Sequence, residues 1–355
     1  MIKRYSGYIQ GMSAAICMLL LILDTRTAIA GAGEGIELCI KSVIPALLPF
    51  FPLSILLTSS LCGNRIRIIT PFVKALGMPE GSESILISGF LGGYPVGAQC
   101  IRQCYDAQQL SREDAHRLLG FCSNAGPGFI FGMSAFLFSN PLCSWLLWGI
   151  HIVSALLSGL FIPGKSHKKC APQRQRITLT MAVQQSIKTT ASVCIWIVLF
   201  RIITAFCEKW LLRACPQSFR TLSAGILELA SGFAALRNIP QESERFILAT
   251  LFLGMGGLCV GMQTMTVTGP LGTGWYFPGK FMQSFIGIPL SILACYFLFP
   301  SEQCSSQGFY VWGTVLGIIT LVLFLIRRKI AVAFSGKVMY NNRKRCRRSK
   351  EHAVS

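Results

Sequence analysis

Two glutamines, Gln99 and Gln263, close the same glycine-rich phrase, GGYPVGAQ at 92–99 and GGLCVGMQ at 256–263, with five of the eight positions identical. A side-chain amide offers both donors and an acceptor. The glycines before it are Gly92, Gly93 and Gly97 in one copy and Gly256, Gly257 and Gly261 in the other. Glycine weakens a helix and leaves backbone N–H groups available. Such groups at a helix start attract anions. The chemistry on offer is recognition of a small polar or anionic molecule. A third break lies in CSNAGPGFIFG at 122–132, where Asn124 stands beside Gly126 and Pro127. Proline and glycine there interrupt helical hydrogen bonding. Asn124 reads equally as a polar helix start or as part of a site.

Two charges sit inside apolar stretches: Arg201 in IWIVLFRIITAF and Glu228 in AGILELASGF. Charges in such places are costly and point to function. They pair with each other in one reading; in the other, Arg201 holds a ligand carboxylate. Lys41 and Lys188 stand near the starts of matched helices, where snorkelling to the interface is expected. His151 reads as a hydrogen-bonded core residue, and SREDAHRLLGF as a capped helix start at Ser111 on the cytoplasmic surface. Nothing resembles a catalytic constellation. There is no C-x-x-C pair among the 15 cysteines and no H-E-x-x-H, and neither glycine phrase continues into Lys-Ser or Lys-Thr. No enzyme activity, cofactor or metal is expected.

The elements that position these residues follow from composition. Of 355 residues, 52% are hydrophobic and only 13% charged, with mean hydropathy +0.55. That is too little charge to cover a soluble surface. Candidate spans fall at 8–29, 42–62, 122–139, 142–163, 186–207, 221–238, 281–299 and 309–326. Several approach the ~20 residues needed to cross the hydrocarbon, whereas 122–139 and 221–238 are short or carry polar residues. The stretches carrying the glycine phrases are apolar, then broken; broken backbone survives in lipid only where protein or water covers it. The expected fold is an all-α polytopic integral membrane protein of about eight transmembrane helices, plus two re-entrant or broken glycine-rich segments, in two related halves. The amino-terminal apolar run, which has signal-peptide features, is read as an uncleaved first span.

Net charge is +19, yet ten of the 33 Lys and Arg lie between Arg327 and Lys350 and five between Lys165 and Arg176. These clusters flank spans as the positive-inside rule expects, and no aromatic-interleaved basic face accompanies them, so nucleic acid is not the expected partner. The basic tail can also touch anionic lipid. The division is a first membrane half at 1–163, a basic cytoplasmic linker at 164–180, a second half at 181–326 and a basic tail at 327–355. CIKSVIPALLPFFPLSIL from Cys39 has a partner in SIKTTASVCIWIVLFRII from Ser186, which supports duplication. Paired broken segments in two halves mark a transporter's binding site; alternatively, the two G-x-x-x-G spacings only let helices pack closely.

VIPALLPFF, GFLGGYPVGAQ, LSREDAHRLLGFCSNAGPGFIFG and GGLCVGMQ, in that order, resemble the YlbJ-type sporulation integral membrane proteins, also called stage V sporulation protein V, within the nucleoside-recognition Gate domain group. The resemblance runs from about residue 35 to 325 and is strongest at 88–132. It implies a spore-forming bacterium, the outer forespore membrane and movement of dipicolinic acid. The resulting expectation is a transporter for a small anionic aromatic metabolite in a lipid membrane. A nucleoside or nucleobase permease and a sporulation assembly protein without transport are the rival readings. Oligomeric state is not legible.

Overall fold

The computed structural model describes residues 2–61, 64–164, 166, 170 and 177–300. The expected span at 309–326, the basic tail and most of the basic linker lie outside the described residues. Among the described residues the regular elements are helices, with no strand. Residues Met1–Gln303 form one unit, which holds all the described residues.

The first half begins with α1 (Ile2–Leu23) and α2 (Thr25–Leu38). A π-turn at Cys39–Val43 leads from α2 to α3 (Ile44–Leu47) and α4 (Phe50–Leu61). Proline supplies no N–H. Pro45, Pro49 and Pro52 each remove a helical donor, and the winding changes where they fall. Next come α5 (Thr70–Ala75), α6 (Glu83–Leu91), α7 (Val96–Asp106), α8 (Arg112–Leu119), α9 (Pro127–Ser134) and α10 (Leu142–Phe161). The second half contains α11 (Leu179–Trp210), α12 (Gln217–Leu227), α13 (Leu229–Ala235), α14 (Glu242–Met255), α15 (Gly257–Thr268) and α16 (Tyr276–Leu298).

The protein is an all-α polytopic membrane protein. Among the described residues, five helical stretches are long and apolar enough to cross a bilayer: Thr25–Leu61, Leu142–Phe161, Leu179–Trp210, Glu242–Leu271 and Tyr276–Leu298. Several boundaries differ from the sequence-based spans. The stretch 8–29 is divided at Asp24 into α1 and α2, and α11 begins at Leu179, seven residues before 186. The stretch 122–139 is not a span: residues 123–126 are irregular, and α9 has only eight residues. The stretch 221–238 is divided at Glu228 into α12 and α13. The last described span begins at Tyr276, five residues before 281, which places Lys280 inside it. In each case apolar composition alone identified the region, and helix-breaking or capping residues set its limits.

Both glycine phrases are interrupted helices. The first separates α6 from α7 and the second α14 from α15. At the second break Gly256 has φ +72°, a left-handed conformation that closes α14 and opens α15. The phrases do not hold the same place in element order. The first follows α4 and α5 directly, whereas α12 and α13 intervene between α11 and the second.

Ser111 caps α8 as the sequence indicated: its Oγ accepts from Asp114 N–H at 3.0 Å.

Candidate functional site

Four helix interruptions meet in the interior: the two glycine phrases, the turn at 123–126 and the break at Glu228. They line one small cavity of about 40 Å³, with Gly93, Tyr94, Gly126, Glu228, Leu229 and Gln263 on its wall. The backbones come very close. A Cβ on Gly93 would lie 3.0 Å from Gly126 N, and one on Gly257 would lie 3.3 Å from Leu229 N. Each phrase therefore rests against a break of a different kind. The helices leaving the breaks also meet: α7 packs on α15, and α9 on α13 with Phe129 and Phe233 edge to face at 5.6 Å.

Helix starts concentrate at this point. The N-caps of α7, α9 and α15 are Pro95, Gly126 and Gly256, none with a side-chain cap. Their first N–H groups carry the positive end of the helix dipole. The fourth start differs. Glu228 is buried and accepts from Ala230 N–H at 2.8 Å and from Ser231 N–H, capping α13. The Arg201–Glu228 pair that the sequence allowed is not formed by hydrogen bonding. Arg201 instead bonds Glu34 on α2, with Nε to Oε2 at 2.9 Å, and Glu208 two turns further along α11, with Nη1 to Oε1 at 3.2 Å. Two carboxylates already occupy its guanidinium.

Lys280 stands beside the first and third breaks and is only 2% exposed. Its ammonium donates to Asn124 Oδ1 at 2.8 Å and to Gln283 Oε1 at 2.7 Å. It also lies over the rings of Tyr94 (5.4 Å) and Tyr276 (6.0 Å). Among the described residues no carboxylate pairs with it. A buried cation without a counter-charge is costly, even with amide partners. Gln283 Nε2 donates in turn to the His151 carbonyl at 3.1 Å, and Ala125 N–H donates to His151 Nε2 at 3.1 Å. This polar chain ties the third break to α10 and α16, and it makes His151 the hydrogen-bonded core residue that was expected. The Tyr94 hydroxyl is buried without a partner, the Tyr276 hydroxyl lies against Thr264, and both border the position a Cβ on Gly256 would take.

The residues singled out by the sequence thus divide. Gly92, Gly93, Gly126 and Gln263 line the central cavity, and Asn124 binds Lys280 behind it. Pro127 is the first residue of α9, and Gly256 and Gly257 form the second break. Gly97 and Gly261 serve close packing: a Cβ there would lie 2.3 Å from the Cys122 carbonyl oxygen or 2.7 Å from the Phe277 ring. Gln99 lines a separate cavity with Gln103 and Gln185. Arg201 lines an open cavity of about 510 Å³ with Arg220 and Arg237. Helix α13 lies between that cavity, which Ser231 and Phe233 touch, and the central one, which Glu228 and Leu229 touch. Lys280, Gln283, Tyr94 and Tyr276 were not found from sequence. A signal existed: YFPGKFMQ places a lysine and a glutamine three residues apart, on one helical face, within an apolar segment.

No family model matches the chain. The sporulation integral membrane protein YlbJ of Bacillus subtilis (strain 168) is 30% identical over 162 residues, which is 45% of this chain and 40% of that protein. The match therefore spans less than half of that relative's length. No solved structure matches.

Proposed function

We propose that the chain is a membrane transporter for a small anionic aromatic metabolite, with dipicolinic acid as the first candidate. The observation that carries this reading is Lys280: a buried ammonium, unpaired by any carboxylate among the described residues, where interrupted helices converge. Intramembrane charges of this kind mark substrate pathways. A substrate carboxylate supplies the missing counter-charge. The Tyr94 and Tyr276 hydroxyls donate to it, the rings present aromatic faces, and the uncapped starts of α7, α9 and α15 add favourable dipoles. The similarity to a sporulation protein favours dipicolinate over other aromatic acids, and the outer forespore membrane as its location. The reading is of a carrier and involves no catalysed reaction.

The central cavity of about 40 Å³ holds a water or two and no aromatic ring. The conformation is thus closed around the site. In this mechanism α13 is the moving part, since it separates that cavity from the open one of about 510 Å³. Alternating access then consists of displacing short half-helices around a fixed lysine.

The test is flux into liposomes containing the full chain. Labelled dipicolinate enters faster than into empty liposomes, and excess uridine does not compete. Entry equal to empty liposomes removes the transport reading, and competition by uridine replaces it with nucleoside recognition.

A further inference from the structure

Gln99 ends the first glycine phrase, yet it faces away from Lys280 into a cavity of its own. That cavity is about 150 Å³ and lies among α4, α6, α7 and the start of α11. Its volume is about five times the roughly 30 Å³ that a water occupies in the liquid. It has room for one small ring.

Its chemistry is distinct. Among the described residues that line it, none is a lysine, arginine, aspartate or glutamate. Four glutamines border it, Gln99, Gln103, Gln109 and Gln185, against apolar walls that include Ile55 and Val96. Three polar atoms on its lining are buried without any partner: Thr58 Oγ1, Ser88 Oγ and Gln99 Oε1. Thr58 is 8% exposed and Ser88 0%. A helical serine or threonine ordinarily bonds back to the carbonyl a turn earlier. Ser54, Ser134 and Ser186 in this protein have such bonds or their i−3 equivalents, whereas Thr58 and Ser88 have none. Orphaned buried polar groups are few in folded proteins and each calls for a partner. Several around one concave, largely apolar space describe a small-molecule site.

We propose that this cavity binds a small uncharged molecule whose edge carries both hydrogen-bond donors and acceptors, of the carboxamide type. Amide and hydroxyl side chains satisfy such an edge in both senses, because each can donate and accept. An anion is disfavoured: among the described residues no cation lines the space, and burying an unpaired carboxylate costs far more than burying an amide. The site is independent of Lys280 and stands whether or not the chain transports an acid.

The probe pair is nicotinamide and nicotinate, which share ring and size and differ in charge. Equilibrium dialysis of labelled nicotinamide against the full chain in detergent gives saturable binding, with nicotinate competing at least tenfold more weakly. Thr58→Val, which preserves shape, and Ser88→Ala each weaken nicotinamide about fivefold to tenfold, the effect of one lost hydrogen bond. Lys280→Met leaves this binding unchanged, which separates the site from the transport site. Absence of saturable binding means that the orphaned groups hold water alone and overturns the proposal. So does equal affinity for nicotinate, or indifference to both substitutions.

Discussion

Replacing Lys280 by Met removes the ammonium and keeps an unbranched apolar stem. The effect on an anionic substrate can be worked from the geometry. A carboxylate about 4 Å from the ammonium gains about 4 kcal/mol at an effective dielectric of ~20. To receive it, the ammonium gives up its bonds to Asn124 and Gln283, at 2.8 and 2.7 Å. Each amide bond is worth about 1 kcal/mol net. The surplus of about 2 kcal/mol corresponds to roughly a 30-fold rise in KM, at 1.4 kcal/mol per factor of ten. Met also leaves two buried amide oxygens without a donor, which costs stability. Thermal midpoint and membrane level are therefore measured beside labelled dipicolinate uptake in proteoliposomes. A second variant, Asn124→Asp, keeps the shape and places a carboxylate next to the ammonium. It cancels the attraction for a substrate anion without emptying the cage, and a similar rise in KM is expected. The reasoning is refuted if Lys280→Met and Asn124→Asp both transport dipicolinate with KM within about twofold of the parent.

Three further outcomes are expected. Arg201→Met strands Glu34 and Glu208 and weakens the packing of α2 on α11, so it lowers the thermal midpoint while leaving the dipicolinate KM unchanged; a KM rise like that of Lys280→Met would instead make Arg201 a ligand group. Gly256→Ala places a Cβ in a left-handed conformation, 3.1 Å from the Tyr94 hydroxyl, and costs at least about 1 kcal/mol in unfolding experiments; a neutral result would refute the break geometry. Lys209 holds the Asp24 carboxyl below the usual carboxylate range through a 2.6 Å bond. A depressed pKa contributes stability above the unfolded value of about 3.9, lost as pH falls through the folded one. Asp24→Asn thus lowers the midpoint at pH 7 and loses its effect in strong acid; a constant difference across pH would sink that assignment.

Much of this was legible without coordinates. Low charge and recurrent apolar runs settled an all-α membrane protein, because only helices or closed barrels satisfy the backbone in lipid. The glycine phrases and CSNAGPG were recognisable as interruptions because glycine and proline act locally, through φ and the missing N–H. Ser111 and Asp114 announced a cap by their spacing alone. Tertiary structure decided which interruptions face each other and which polar groups share a space. The two matching glutamines look equivalent in sequence, yet Gln263 lines the central cavity and Gln99 another. Arg201 and Glu228 look like partners, yet one is held by Glu34 and Glu208 and the other caps α13. Lys280 passes for the edge of a span until Asn124, 156 positions earlier, is found 2.8 Å from it. Local conformation follows from a few neighbouring residues. Burial and pairing depend on segments brought together from across the chain, and no short stretch carries that information.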